Sequence, residues 1–174
     1  PFLMNLAACF IVIIINQGLK KYGGDLAIGA FGIVNRLVFI VVMIVMGLNQ
    51  GMQPIAGYNF GAKLYGRVNK VLRLTIIYAT AVTTFGFLVG MLVPDLVVGI
   101  FTSDAELTEL SVTGLRITVM FFPIIGFQMV TSNFFQSIGM AGKAIFLSLT
   151  RQMLILLPCL LVLPQFFGVA GVWY

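Results

Sequence analysis

The chain has 174 residues, 60% apolar and 9% charged, with ten Lys and Arg against five Asp and Glu; a soluble domain is roughly 45–50% apolar and about 25% charged. So few charges cannot cover a water-soluble globule of this size, which excludes an ordinary soluble domain, a disordered tail and a disulfide scaffold, and the mean hydropathy of +1.11 makes lipid the expected solvent. The absence of His excludes a His-based triad and a zinc site with His ligands, and Cys9 and Cys159 read as small buried hydrophobes in apolar runs.

Charge-free stretches cover residues 1–19, 37–62, 74–94, 117–142 and 152–174. A bilayer core about 30 Å thick needs roughly 20 apolar helical residues. The runs do not alternate polar and apolar as barrel strands would. Five spanning helices are therefore expected, at about 2–19, 27–50, 71–93, 113–137 and 143–163. The first run has no basic segment before it and does not read as a signal peptide. KKYGGD (20–25) is expected as a short turn, GYNFGAKLYGRVNK (57–70) as a longer polar connection, and 94–110 as an acidic connection with room for a short interfacial helix. GMAGK (139–143) is expected as a tight turn, and 163–173 as the start of a last connection. The chain starts at Pro1 in an apolar run and stops at Tyr174, and is expected to be a piece of a longer membrane protein.

Orientation follows from Lys and Arg asymmetry. One side carries Lys63, Arg67, Lys70, Arg73 and Lys143; the other carries Lys20 and Lys21 with all five acids, Asp25, Asp95, Asp104, Glu106 and Glu109. Loops 57–70 and 139–143 are thus expected to be cytoplasmic, with the basic cluster a topology signal that touches lipid headgroups rather than nucleic acid.

No HExxH, GxSxG or GxxxxGK[ST] signature occurs, and no carboxylate lies deep in an expected span. Arg36 lies 11 residues past Asp25, roughly 16 Å along a helix axis and so near the midplane, where an ionisable residue marks either a functional interior or a structural contact to carbonyls. Arg116 and Arg151 lie nearer span ends, where they can snorkel. Asn5, Asn16, Gln17, Asn35, Asn49, Gln50, Gln53, Gln128, Asn133 and Gln136 mark inward faces. Gln128, Ser132 and Gln136 share one helix face, as do Met129 and Asn133, and these amides serve either interhelical hydrogen bonds or a polar cavity wall. Gly47/Gly51, Gly57/Gly61 and Gly86/Gly90 are spaced GxxxG, which permits close helix approach; the first and last pairs are expected in helix. Pro123 and Pro158 are expected to kink their spans.

The segment GLNQGMQPIAGYNFGAKLYGRV (47–68) resembles the loop after the eighth helix of multidrug and toxic compound extrusion (MATE) transporters, matching at Gln50, Gly51, Gln53, Pro54, Ile55, Gly57, Tyr58, Asn59, Gly61, Ala62, Arg67 and Val68. Segments 21–36, 134–144, 148–158 and 167–173 resemble the same family's turn between helices seven and eight, helices ten and eleven, and the approach to helix twelve. The resemblance implies an all-α polytopic transmembrane helix bundle: five spanning helices of a six-helix lobe, the C-terminal one, with the last helix and the N-terminal lobe absent. It implies cation-coupled efflux, by sodium or proton, of amphipathic and often cationic compounds by alternating access in the cell membrane, with no cofactor and no metal site. Arg36, Gln50, Gln128, Asn133 and Gln136 are the candidates to line the substrate cavity. Gly47, Gly51, Gln53, Pro54, Gly57, Tyr58, Asn59 and Gly61 would shape the end of helix eight and its loop. The acidic ligands that some members carry in helices seven and ten are missing from 1–19 and 117–142, which places a coupling carboxylate in the N-terminal lobe. A lipid-linked oligosaccharide flippase of the same superfamily, a non-transporting membrane scaffold and an intramembrane enzyme remain as alternatives.

Overall fold

The structure is a computed structural model describing residues 2–149, with side chains described for only part of residues 2–23 and 141–149. Its elements are α1 (Phe2–Gly61), α2 (Tyr65–Leu92), α3 (Pro94–Gly99), α4 (Ala105–Val119), α5 (Phe122–Ser137) and α6 (Ala141–Leu149). Helix is the form in which an apolar segment satisfies its own backbone without water. Gly24–Gly61 and Tyr65–Leu92 are each long and apolar enough to cross a bilayer, and α4 with α5 passes the same test as a bent pair. The span expected at 2–19 falls in the first part of α1, where few side chains are described. Most of the span expected at 143–163 lies outside the described residues, as do Arg151, Pro158, Cys159 and the segment 163–173.

Three local expectations are corrected. The turn at 20–25 is a single-residue break: α1 is helical on both sides of Gly24, which has φ 64° and ψ −158°, a conformation essentially confined to glycine. The helix expected to end at 50 continues to Gly61 through Pro54, so the connection at 57–70 shrinks to residues 62–64. Gly, Asn and Tyr gave 57–61 the look of a loop, but Met52, Ala56 and Asn59 are buried at helical spacing and hold the segment in register past the proline. Gly57 and Gly61 are therefore helical too. The helix closes with a Schellman motif: Leu64 N–H donates to Asn59 O at 2.9 Å and Lys63 N–H to Phe60 O at 3.0 Å, with Lys63 itself at φ 59°.

The third correction concerns where 113–137 begins: α4 and α5 are a bent pair that together pass as one span, and the pair starts at Ala105. The break falls at Phe121 (φ −94°, ψ 1°), and Pro123 sits in the first turn of α5, where its missing N–H costs no hydrogen bond. α4 starts well before 113 because Asp104 caps it: the carboxylate accepts from Leu107 N–H at 3.0 Å, Glu106 lies in the first turn and Arg116 in the last, as the helix dipole favours. The acidic connection holds the short helix α3, started by Pro94.

Contacts divide the described residues into two compact units: 2–37 with 89–120 and 148–149, and 38–88 with 121–147. In the first, a Cβ on Gly29 would stand 3.3 Å from Leu107, and one on Gly90 would stand 3.1 Å from Val119. In the second, Val45, Met52, Ala56, Val68, Ala79, Val130 and Phe134 form the core. There, Gly86 faces Val41 and Phe122, while Gly126 faces Thr83 and Ala79, so α2 runs antiparallel to both α1 and α5.

Candidate functional site

Within the unit of 38–88 and 121–147, α1 and α5 meet along a polar seam. Gln53 Nε2 donates to Asn133 Oδ1 at 3.2 Å, across 80 residues of sequence. One turn on, a Cβ added to Gly57 would lie 3.1 Å from the carbonyl oxygen of Ser137, the same offset of 80, so the two helices run parallel and nearly touch there. Asn133 Nδ2 also donates to Met129 O at 2.9 Å. One turn before Gln53, Asn49 is only 2% exposed, and among the described residues neither Oδ1 nor Nδ2 has a partner; the same holds for Ser132 Oγ. Nothing in the sequence separates Asn49 from the other inward amides; only its burial does.

The face of α1 opposite the core residues Val45, Met52 and Ala56 behaves differently. Met43, Gly47, Gln50, Pro54 and Tyr58 follow one another at spacings of three and four and are all exposed, Tyr58 at 76%. Among the described residues, nothing lies within 4 Å of a Cβ built on Gly47 or Gly51. The Gly47/Gly51 pair is thus an open small-residue surface, whereas Gly86 and Gly90 each receive a neighbouring side chain.

The remaining candidates are distributed as follows. Gln128 is half-buried and makes an interaction of its own. Gln136 is exposed at the end of α5, and Gly61 is exposed at the end of α1. Asn59 is buried, with Nδ2 donating to Ile55 O at 2.8 Å. Arg36 belongs to the other unit and is exposed, as is Arg116. Among the described residues, no three His, Cys, Asp or Glu gather into a metal-binding group. No nucleophile is paired with a base in the unit of 38–88 and 121–147, which holds no His, Asp or Glu. What this arrangement offers is a wall with an amide and a flat glycine surface, suited to binding and sliding.

The parallel register of α1 and α5 brings the loop at 62–64 and the turn at 138–140 to one end of this unit. Lys63 and Lys143, at these connections, and Arg67, Lys70 and Arg73, along the first turns of α2, are all exposed, and no Asp or Glu occurs in 38–88 or 121–147.

Comparison with known proteins gives a consistent result. The MatE family model matches residues 2–161. The multidrug export protein MepA of Staphylococcus aureus (strain MSSA476) is 29% identical over 171 residues, which is 98% of this chain and 37% of MepA. Among solved structures, the MATE multidrug transporter DinF-BH is 38% identical with a TM-score of 0.85, over 99% of this chain and 39% of that one. A MOP superfamily transporter from Pyrococcus furiosus shares the fold at a TM-score of 0.88 with 20% identity, over 98% of this chain and 39% of its own. The chain therefore spans less than two-fifths of the length of these relatives.

Proposed function

The chain belongs to the MatE family, and from that premise we propose that it supplies one helical lobe of a multidrug efflux transporter. The transporter works as a sodium- or proton-coupled antiporter by alternating access in the cytoplasmic membrane. The observation that carries the reading is the exposed face of α1. Gly47, Gln50, Gly51 and Pro54 are exposed there, and among the described residues nothing lies within 4 Å of a Cβ on either glycine, although they sit in a helix apolar enough to span a bilayer. An amide and a bare glycine pair gain little from lipid. They suit a surface that meets a polar cavity and a second lobe. The short share of the relatives' length that this chain covers is in keeping with a lobe that works against another.

On this reading, Gln50 and Gln136 reach the cavity directly. Gln128 and Asn133 lie behind them, Asn133 being anchored to Gln53. Arg36 is a separate cavity candidate in the other unit. Amphipathic, often cationic compounds are the substrates. With no acid anywhere in 26–94 or 110–174, the coupling carboxylate lies elsewhere in the full-length protein. MepA and DinF-BH are named for multidrug export and multidrug transport, which favours efflux over a flippase or a scaffold.

The test is gradient-driven efflux of a cationic dye from vesicles holding the full-length protein, wild type against Gly51→Phe. A Cβ at 51 meets nothing within 4 Å among the described residues, so the variant should purify as a homogeneous protein while efflux falls at least roughly tenfold, the effect of a large steric block at a binding surface. A well-folded variant that exports at the wild-type rate refutes the placement of this face. Absence of wild-type efflux across several dyes and both ions refutes the function.

A further inference from the structure

The end of the unit that carries the five cations also holds a hollow that the transport reading does not use. Gly139 adopts φ 80° and ends α5 in a second Schellman motif: Met140 N–H donates to Phe135 O at 2.9 Å and Gly139 N–H to Gln136 O at 3.3 Å. This turn starts α6 beside the end of α5, so that Phe135, Gly142, Lys143 and Phe146 line an open hollow of about 360 Å³. Its wall is aromatic and glycine surface, and Phe146 is 69% exposed. The Lys143 ammonium stands 5.7 Å from the Phe135 ring centroid, close enough for a cation–π contact that holds the charge at the rim.

We infer that this hollow binds one anionic phospholipid, an acyl chain lying between Phe135 and Phe146 and the phosphate resting on Lys143. Charge complementarity selects the occupant. Lys63, Arg67, Lys70, Arg73 and Lys143 face no acid in their unit, and basic residues beside an apolar groove at a membrane surface attract anionic headgroups. A cationic export substrate is repelled by the same field. The hollow is open rather than enclosed, which suits a chain that remains partly in the bilayer. The inference rests on the membrane fold, not on the direction or cargo of transport.

The test is native mass spectrometry of the full-length protein in mild detergent, titrated with dioleoylphosphatidylglycerol or dioleoylphosphatidylcholine. One phosphatidylglycerol should be retained in roughly fivefold preference, the effect of one headgroup cation. Lys143→Gln should abolish that preference and leave the melting temperature unchanged. Phe146→Ala should weaken retention of both lipids, Lys70→Gln should do neither, and glycerol 3-phosphate, which has the headgroup charge without chains, should not compete. Equal loss in Lys143→Gln and Lys70→Gln, or full competition by glycerol 3-phosphate, overturns the site in favour of diffuse surface attraction. Because the readout involves no efflux, its failure leaves the transport reading untouched and its success does not depend on it.

Discussion

At Gly126 α5 closely approaches α2, and substituting it measures how tightly this unit is packed. A Cβ there would stand 2.5 Å from Thr83 Oγ1, 3.0 Å from Thr83 Cγ2 and 3.2 Å from the carbonyl oxygen of Ala79. Thr83 cannot simply rotate away, because it is buried and its hydroxyl donates to Ala79 O at 3.0 Å. The Ala79 oxygen is backbone and moves only with the helix. Overpacking of this kind costs about 1–3 kcal/mol, while exchanging a helical glycine for alanine returns up to about 1 kcal/mol. Gly126→Ala should therefore destabilise by up to about 2 kcal/mol. Thr83→Ala removes two of the three close atoms, so the double variant should lose less than the sum of the single variants. Gly32→Ala is the control, since among the described residues nothing lies within 4 Å of a Cβ there, and it should melt at or slightly above the wild-type temperature. The assay is thermal unfolding of the full-length protein in detergent, followed by loss of the monodisperse peak. A Gly126→Ala protein that melts with Gly32→Ala, or a Thr83→Ala background that fails to relieve it, refutes the packing argument.

Two further outcomes are expected. Gln53→Leu strands Asn133 Oδ1 in the α1–α5 seam, and Asn133→Leu strands Gln53. Each should cost about 0.5–1.5 kcal/mol, typical for a hydrogen bond between membrane helices, while the double Leu variant should be less damaging than the sum, as read from a double-mutant cycle of melting temperatures; strict additivity would show that the pair does not interact. Asp104→Ala removes the carboxylate that accepts from Leu107 N–H, worth about 1 kcal/mol, so hydrogen exchange at residues 105–108 should speed up several-fold with no change in α5, and unchanged exchange would show that the cap is not holding the helix.

The reach of the sequence differs from element to element. The helical, membrane-type class was legible because 60% apolar composition and long charge-free runs leave lipid as the solvent and the helix as the form in which those runs satisfy their own backbone. The family was legible because 47–68 carries a specific string of small and polar residues. Asp104 as a helix start was hidden in an acidic stretch that reads as a connection. Pro54 and the glycines of 57–61 misled in the other direction: local propensity marks them as loop, yet Met52, Ala56 and Asn59 bury the far side of the same turns.

The candidate site shows the same division. Composition and spacing alone fix which residues are amides, which glycines are paired and where every charge falls along the chain, since these are one-dimensional facts that lipid and membrane potential act on directly. Which way each one faces is a property of neighbours up to 80 residues away. Gly47/Gly51 and Gly86/Gly90 share one motif, and only packing makes the first an open surface and the second a helix contact. Asn49 and Gln50 are adjacent amides, and only the rotation of α1 against α2 and α5 buries one and exposes the other. A helix repeats every 3.6 residues and so fixes relative positions around its own axis, but the absolute orientation of that axis is set by the side chains it meets.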